Sequence, residues 1–337
     1  MKILLKEIAR LADVSPSAVS RVLNDNGYVS SEKRVKIEQL LIQNGYEVCK
    51  RTASNPFASK SVLVIADELG VSDAYIDYIR GIREKLLTAG YSMYLYLSGL
   101  DEQQSTREIE QVLASHKIGF AGILMISALD TPALRSAIAL SKEPIVFLNR
   151  NLKGLDASAV ILDNYKVGYF ATQFLISKGY RKIIHLAGRK GSVASQERVR
   201  GYQNAMIDSG LQLETPSVIY GDHSYEKGYE CGLDLARGKY RADAIFIASD
   251  RMALGFVDAI YEQGLSCPKD IGIICAEDTK ILASGKIAMT TIGYNNRVIG
   301  RTAAELFLES LLHPTYEKKT VSFSPQIIER DSVSTIH

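Results

Sequence analysis

Two series of short, uncharged apolar segments alternate with amphipathic helical patterns over most of this sequence. The first series covers residues 62–66, 91–97, 122–126, 145–148 and 160–162, and the second covers residues 183–187, 218–220, 244–248 and 271–276. Strands that are apolar on both faces are typical of parallel sheets covered by helices on both sides. The alternation therefore predicts an α/β body of two similar subdomains, each built on a doubly wound parallel sheet.

The first 46 residues have a different pattern, which predicts three short helices. Apolar residues at helical spacing form the first helix, which ends in a tight turn at Asp13 and Val14. Ser15 is placed to cap a second helix, with Pro16 at its first position, where the missing N–H does no harm. A third helix follows and ends at Gly45. Two short helices joined by a tight turn and braced by a third predict an all-α helix-turn-helix head.

The segment between head and body, residues 47–60, has no clear periodicity and contains Pro56, so it is predicted to be a linker. The predicted organisation is a head of residues 1–46, the linker, and two subdomains. We expect the first subdomain to comprise residues 61–162 and 293–319, and the second to comprise residues 163–292 and 320–337.

Charge and cysteine content narrow the possible functions. The first 60 residues hold ten Lys and Arg against six Asp and Glu, whereas the whole chain has a net charge of only +2. A small basic unit joined to a near-neutral one indicates a polyanionic partner. The four cysteines show no spacing typical of zinc sites, so we expect free thiols, no metal and no cofactor. The N-terminus is not a signal peptide and no apolar run is long enough to span a membrane, which predicts a cytoplasmic protein with no membrane partner.

Motifs that carry catalysis are absent, and we expect no enzymatic activity. The sequence has no nucleophile elbow, no H-E-x-x-H and no complete phosphate-binding loop, and its five histidines are scattered. Residues 188–192, Gly-Arg-Lys-Gly-Ser, follow a predicted strand and are basic enough to suggest phosphate binding. Because the full spacing of a phosphate loop is missing, a plain strand-to-helix turn is the favoured interpretation.

Residues 14–24, VSPSAVSRVLN, closely resemble the DNA-binding signature of the LacI/GalR family of bacterial transcription regulators. Further stretches resemble landmarks of that family in the same order, at residues 161–165, 179–183, 197–202, 249–255 and 268–271. The resemblance implies a body similar to periplasmic sugar-binding proteins, in which three crossovers join two subdomains and a ligand binds in the cleft between them.

For the head, the resemblance implies that the second helix enters the major groove. Its N-terminal residues then read base edges, and nearby polar side chains contact phosphates. The implied DNA-contacting residues are Ser15, Pro16, Ser17, Ser20, Arg21, Asn24 and Tyr28. The chain departs from the family at Leu4, where a capping Thr or Ser is usual, and at Asp13, where Gly is usual. Since Asp tolerates positive φ, the turn is expected to form.

For the body, the resemblance implies an effector pocket formed by side chains at strand ends. The matching positions are Asp73, Tyr75, Asn149, Arg200, His223, Ser249, Asp250 and Glu277. Planar amide, guanidinium and carboxylate groups suit the hydroxyl groups of a sugar.

The linker departs from the family more strongly. A hinge helix in that family carries a Leu that inserts into the minor groove, but Asn55 lies near that position here and Pro56 follows it. A weaker or displaced hinge is therefore predicted, with Phe57 having a small effect.

The leading interpretation is a homodimeric, sequence-specific DNA-binding regulator. We expect it to be a repressor of a carbohydrate-utilisation operon that responds to a small sugar. A transport-type sugar-binding protein would carry a signal peptide and no DNA-binding head. A regulator that responds to a non-sugar corepressor stays open, as does an enzyme with an accessory DNA-binding head if a nucleophile and a base converge in the fold.

Overall fold

The computed structural model describes residues 4–23, 29–44, 46, 60–67, 73–98, 102–114, 119–127, 130–141, 143–152, 154–213, 215–313 and 317–336. The chain divides into two units, a head of residues 1–60 and a body that begins at Ser61. The predicted linker lies outside the described residues except for Lys60, and so do Pro56 and Phe57.

Three helices form the head: α1 (Leu5–Ala12), α2 (Pro16–Leu23) and α3 (Ser31–Gln43). They share a small core of seven side chains that are at most 3% exposed: Ile8, Ala9, Ala12, Val19, Val22, Ile37 and Leu41. The turn between α1 and α2 places Asp13 in the left-handed region, at φ 58° and ψ 52°, and its N–H donates to the Ala9 and Arg10 carbonyls. The predicted helix-turn-helix is therefore confirmed, including the turn at Asp13.

Two six-stranded sheets form the body. Its strands are β1 (Ser61–Asp67), β2 (Ser92–Ser98), β3 (Gly122–Ile126), β4 (Ile145–Leu148), β5 (Ser158–Leu162), β6 (Ile183–Ala187), β7 (Val218–Tyr220), β8 (Ala244–Ile247), β9 (Gly272–Ala276), β10 (Thr290–Gly293), β11 (Thr320–Phe323) and β12 (Gln326–Ile328). The first sheet has the order β11-β5-β4-β3-β1-β2 and the second β12-β10-β9-β8-β6-β7. All pairs are parallel except β10 with β12. Two doubly wound sheets confirm the predicted fold class.

Nine helices among the described residues of the body cover these sheets. They are α4 (Asp73–Thr88), α5 (Glu102–Ala114), α6 (Pro132–Leu140), α7 (Asn164–Ser177), α8 (Val193–Asp208), α9 (Tyr225–Ala236), α10 (Asp250–Glu262), α11 (Lys280–Ala283) and α12 (Asn296–Leu312). No helix in the described part of the chain is long and apolar enough to cross a membrane. Cys231, Cys267 and Cys275 are free and buried, as predicted, and burial raises the pKa of each thiol.

The chain crosses between the two sheets three times: after β5, after β10, and between β11 and β12. β11 pairs in parallel with β5 of the first sheet. The first subdomain therefore extends to Phe323, and the predicted boundary at residues 319 and 320 is wrong by one short strand. That strand is half exposed at the sheet edge, so it lacks the continuous apolar pattern that marked the others.

Three helix pairs in the body touch backbone to backbone through glycines. A Cβ atom added at Gly168 of α7 would lie 1.9 Å from the Arg198 carbonyl oxygen of α8. One added at Gly201 of α8 would lie 2.1 Å from the Tyr165 carbonyl oxygen of α7. Equivalent reciprocal contacts join α4 to α12 and α9 to α10, through Gly81, Gly300, Gly228 and Gly255. These contacts fix the helix positions, and with them the side chains that the helices direct toward the strand ends.

Candidate functional site

The exposed face of α2 carries the sequence-predicted DNA-contacting residues of the head. Val19 and Val22 point into the core, at 0% and 1% exposure. The predicted DNA-contacting residues next to them are all exposed: Ser15, Pro16, Ser17, Ser20 and Arg21. Asn24 and Tyr28, which belong to the same predicted set, lie outside the described residues.

Ser15 begins α2 in the way that its sequence position predicts. Its Oγ accepts a hydrogen bond from the Ala18 N–H at 3.3 Å and lies 2.8 Å from the Ser17 Oγ. The first N–H groups of a helix have no partner within it and favour anions, so this end of α2 suits a DNA phosphate. Arg21, one turn further along, adds a guanidinium that can form two parallel hydrogen bonds to a guanine edge.

The body has its candidate site at the carboxyl ends of its strands. Four residues there have backbones in the left-handed region: Ser127 (φ 55°), Asn149 (φ 68°), His223 (φ 71°) and Glu277 (φ 87°). The first, second and fourth directly follow β3, β4 and β9, and the third lies three residues after β7. Non-glycine residues in this region cost energy and concentrate at functional sites. Strand carboxyl ends are also where ligands bind in open α/β sheets.

The first subdomain contributes a small hydrogen-bonded cluster to this site. Both the Tyr75 hydroxyl and the Asn149 Nδ2 donate to the Ser127 Oγ, at 2.6 and 3.3 Å. Tyr78, one turn after Tyr75 on α4, is 3% exposed, and this burial raises the pKa of its hydroxyl. The structure thus brings together two predicted residues, Tyr75 and Asn149. Asp73 is the first residue of α4, but its side chain lies outside the described residues.

The second subdomain directs Arg198 of α8 into the site. Its Nε donates to the Asn164 Oδ1 at 2.9 Å, and its Nη1 donates to the Ala248 carbonyl at 3.1 Å, just beyond β8. The positive charge of this side chain lowers the pKa of Tyr78 in the first subdomain, against the larger effect of burial, and also that of His223. The charge of Arg198 therefore acts on side chains of both subdomains.

Arg200, which the sequence interpretation placed in the pocket, lies elsewhere. Its side chain is 60% exposed, pairs with Glu197 at 2.6 Å and lies over the Tyr165 ring at 5.1 Å. Successive helical residues turn by about 100°, so a residue two positions after Arg198 faces the opposite side of α8. Arg198, and not the predicted Arg200, is therefore the α8 arginine that lies at the strand ends.

His223 packs against the strand end at Gly188. A Cβ atom at Gly188 would lie 2.6 Å from the imidazole Nε2, so the ring occupies the space that a side chain would need. Burial, reinforced by the charges of Arg198 and Arg189, lowers the pKa of His223 to about 4. The imidazole is therefore neutral at pH 7 and can donate one hydrogen bond and accept another.

The remaining predicted residues lie at the ends of β8 and β9. Ser249 is buried and caps α10, because its Oγ accepts from the Met252 N–H at 3.4 Å. The negative charges of Glu277 and then Asp250 raise the pKa of the buried Cys275 further, after burial itself, so both carboxylates lie near it. Next to Glu277, Asp278 accepts from the Thr291 hydroxyl at 2.9 Å and pairs with Arg330 at 2.7 Å. This network fixes the loop that carries Glu277.

Some polar atoms of the body are buried without a hydrogen-bond partner among the described residues. They are Asn149 Oδ1, His185 Nε2, Ser195 Oγ, Thr279 Oγ1 and the Tyr294 hydroxyl. Native proteins rarely leave such atoms unpaired, so each needs an explanation. Because all except His185 Nε2 lie just beyond a strand end or in the first turn of the following helix, a polar ligand at this edge is one such explanation.

Four residues of the site were missed by the sequence interpretation. Ser127, Asn164 and Arg198 are placed by hydrogen bonds, and Tyr294 by its packing between the two subdomain cores. Arg198 could have been found from helical phase, since it shares a face with the glycine at position 201 that contacts α7. The described residues contain no cluster of side chains able to hold a metal ion.

Comparisons with known protein families agree with this division of the chain. Residues 4–47 match the family described as bacterial regulatory proteins, lacI family. Residues 172–333 match a periplasmic binding protein-like domain.

Similar proteins cover nearly the whole chain. The ribose operon repressor of Escherichia coli (strain K12) is 25% identical over 328 residues, which are 97% of this chain and 99% of the relative. The HTH-type transcriptional repressor PurR of Vibrio atlanticus (strain LGP32) is 26% identical over 338 residues, 99% of each chain.

Among solved structures, a complex of the transcriptional regulator CelR with cellobiose is 26% identical, with a TM-score of 0.71 and coverage of 98% and 99% of the two chains. The lac repressor dimer bound to operator and the anti-inducer ONPF has a TM-score of 0.72 at 22% identity, over 99% of this chain and 100% of that one, and shows the shared fold.

Proposed function

The chain belongs to the lacI family of bacterial regulatory proteins, and we propose that it is a homodimeric repressor of a carbohydrate-utilisation operon. In this proposal the head binds operator DNA, and a small sugar bound at the strand ends of the body controls that binding. The protein acts in the cytoplasm, where its operator lies. The similarity to a ribose operon repressor and to a regulator in complex with cellobiose supports this assignment.

The exposed face of α2 supports the DNA-binding part of the proposal. A single short helix contacts too few base pairs to specify a site, so two heads are needed. Two heads of a dimer bind half-sites about one helical turn apart in a near-palindromic operator. Ser17 and Arg21 are assigned to base edges, whereas Ser15, Ser20 and the N-terminus of α2 are assigned to phosphates.

The effector site is assigned to side chains from both subdomains. Asn149 and Tyr75 act from the first subdomain, and Arg198, His223, Asp250 and Glu277 act from the second. Amide, guanidinium and carboxylate groups each make paired hydrogen bonds to neighbouring hydroxyl groups. The main support for the proposal is that planar polar side chains and residues with left-handed backbone conformation occur together at the strand ends of the body.

A titration of the full chain tests the effector assignment. Calorimetry with D-ribose, D-glucose and cellobiose should give saturable binding for at least one sugar. In a gel-retardation assay, the same sugar should change the binding of the protein to the DNA upstream of its own gene. Arg198→Ala should abolish sugar binding, whereas the matched variant Arg200→Ala should retain it. Binding of a nucleobase such as hypoxanthine, with no sugar bound, would show that a non-sugar corepressor is the effector.

A further inference from the structure

We propose that the part of the effector site formed by the ends of β6 and β7 and the N-terminus of α8 binds a phosphate group, so that the effector is a phosphorylated sugar. This inference rests on the proposed function, because it names the class of sugar that the same site takes. It concerns the basic segment at residues 188–192, which has no assigned function if the effector is a neutral sugar.

The first observation concerns the buried hydroxyl group of Ser195. This residue lies in the first turn of α8 and is only 5% exposed, and its Oγ has no hydrogen-bond partner in the described part of the chain. The same Oγ lies 3.6 Å from the position of a Cβ atom at Gly188, so it is directed at the end of β6. A buried hydroxyl next to the N-terminus of a 16-residue helix is placed to donate to an anion, as are the N–H groups that precede Ser195 in that helix. The Ser195 N–H itself donates to the capping Ser192 Oγ at 3.4 Å.

The charges around this end of the site are the second observation. Arg189 directly follows Gly188, and the charges of Arg189 and Arg198 both act on His223. Arg198 donates hydrogen bonds to two uncharged acceptors, the Asn164 side-chain oxygen and the Ala248 carbonyl. The nearby carboxylate of Asp222 is engaged in its own loop, where it accepts from the Ser224 N–H at 2.9 Å and from its hydroxyl at 2.6 Å. The balance of charge at this end is therefore positive.

Strand order places Arg189 and His223 away from the carboxylates of the site, with the Arg198 guanidinium between the two groups. In the second sheet, β9 and β8 lie side by side and are followed by β6 and β7. Glu277 and Asp250 follow β9 and β8, whereas Arg189 and His223 follow β6 and β7. A phosphorylated sugar matches this polarity, with its hydroxyl groups toward the carboxylates and its phosphate toward α8. Phosphate is favoured over carboxylate because it offers three acceptor oxygens to the Ser195 hydroxyl, the helix N–H groups and a guanidinium.

Calorimetry on the full chain with matched ligands tests the inference. The probes are D-ribose against D-ribose 5-phosphate, D-glucose against D-glucose 6-phosphate, and D-galacturonate as a sugar acid. In at least one pair, the phosphorylated member should bind about tenfold or more tightly, with an advantage that decreases as salt is raised.

Two variants locate the phosphate. Ser195→Ala and Arg189→Gln should each reduce the advantage of the phosphorylated sugar by about fivefold, while the affinity for the free sugar and the melting temperature stay unchanged. Lys190→Gln is the matched control, since the Lys190 ammonium lies over the Tyr220 ring at 5.7 Å and is not assigned to the ligand. A role of Ser195 in folding alone would lower the melting temperature and leave the ratio of affinities unchanged.

The outcomes separate this inference from the proposed function. Equal affinity for free and phosphorylated sugars, tighter binding of galacturonate than of either phosphate ester, or an unchanged ratio in Ser195→Ala would overturn the phosphate site and leave the sugar-responsive repressor standing. Failure of the wild-type chain to bind any sugar, phosphorylated or not, would overturn both.

Discussion

Acid should destabilise the body through His185, which lies in the middle of β6. The ring is fully buried, stacks on Phe246 with 4.2 Å between the centroids, and donates from Nδ1 to the Phe246 carbonyl at 2.9 Å. Its Nε2 has no partner among the described residues, so a proton added there would be buried without compensation. Burial accordingly lowers the pKa of His185 from 6.5 to about 3.

Because the pKa of His185 is lower in the folded chain than in the unfolded chain, acid reduces the stability of the fold. Below pH 6.5 the unfolded chain binds a proton at this histidine that the folded chain does not bind until the pH approaches 3. The contribution of His185 to stability is therefore constant well above pH 6.5 and falls by about 1.4 kcal/mol for each pH unit between pH 6.5 and about 3. Between pH 7 and pH 5 the loss attributable to His185 is about 2 kcal/mol. His223, whose pKa is also lowered, adds a loss of the same sign.

Urea denaturation followed by circular dichroism at pH 7 and pH 5 measures this loss. In His185→Phe, which keeps an aromatic ring against Phe246, the difference in the free energy of unfolding between the two pH values should shrink by about 2 kcal/mol relative to the wild type. An undiminished pH dependence in His185→Phe would refute the argument that His185 is buried neutral.

Four further substitutions test the DNA-binding face, the cap of α1, the packing of α7 on α8 and a buried hydroxyl. Arg21→Ala should weaken operator binding by about 1–3 kcal/mol and relax specificity at one base position, as measured by gel retardation; an equal loss on random DNA would show a phosphate contact only. Leu4 leaves α1 without a side-chain cap, so Leu4→Thr should stabilise the head by about 1 kcal/mol in thermal denaturation. Gly168→Ala should destabilise the body by about 1–3 kcal/mol and weaken sugar binding, because it forces α7 away from the Arg198 backbone. Tyr294→Phe should raise the stability of the free protein by about 1 kcal/mol, whereas Tyr202→Phe, which loses a 2.7 Å hydrogen bond to the Ile183 carbonyl, should lower it by a similar amount.

Apolar segments predicted nine of the twelve strands in the described part of the body. The segments at residues 122–126, 145–148 and 183–187 are strands with those bounds, because strands buried on both faces must be apolar throughout. β11 and β12 were missed because edge strands that are half exposed have no such requirement. β10 was missed because two of its four buried residues, Thr290 and Thr291, are polar. The turn at Asp13 was predicted because a short polar side chain tolerates the left-handed region.

The site was harder to predict than the fold, because its chemistry depends on side-chain direction. Arg198 and Arg200 are chemically identical and two residues apart, and only the packing of α8 on α7 decides which one faces the strand ends. Ser127 has no motif, and its role depends on hydrogen bonds from Tyr75, 52 residues away in sequence, and from Asn149. Long-range contacts of this kind leave no periodic signal in one sequence.

Tyr294 links the site to the mobility expected of two subdomains joined by three crossovers. It follows β10 on one crossover, and its ring packs against the cores of both subdomains. The hydroxyl is buried with no hydrogen-bond partner of normal geometry among the described residues, since the nearby Asp163 N–H on a second crossover donates to the Phe323 carbonyl at 3.3 Å. A buried hydroxyl without a hydrogen bond destabilises the arrangement that contains it by about 1–3 kcal/mol. Allosteric coupling free energies usually lie in the same range. A rotation of the subdomains that admits water to this hydroxyl recovers that cost. If the proposed effector bridges Asn149 and Arg198, its binding must supply at least as much differential free energy to hold the subdomains in the arrangement described here.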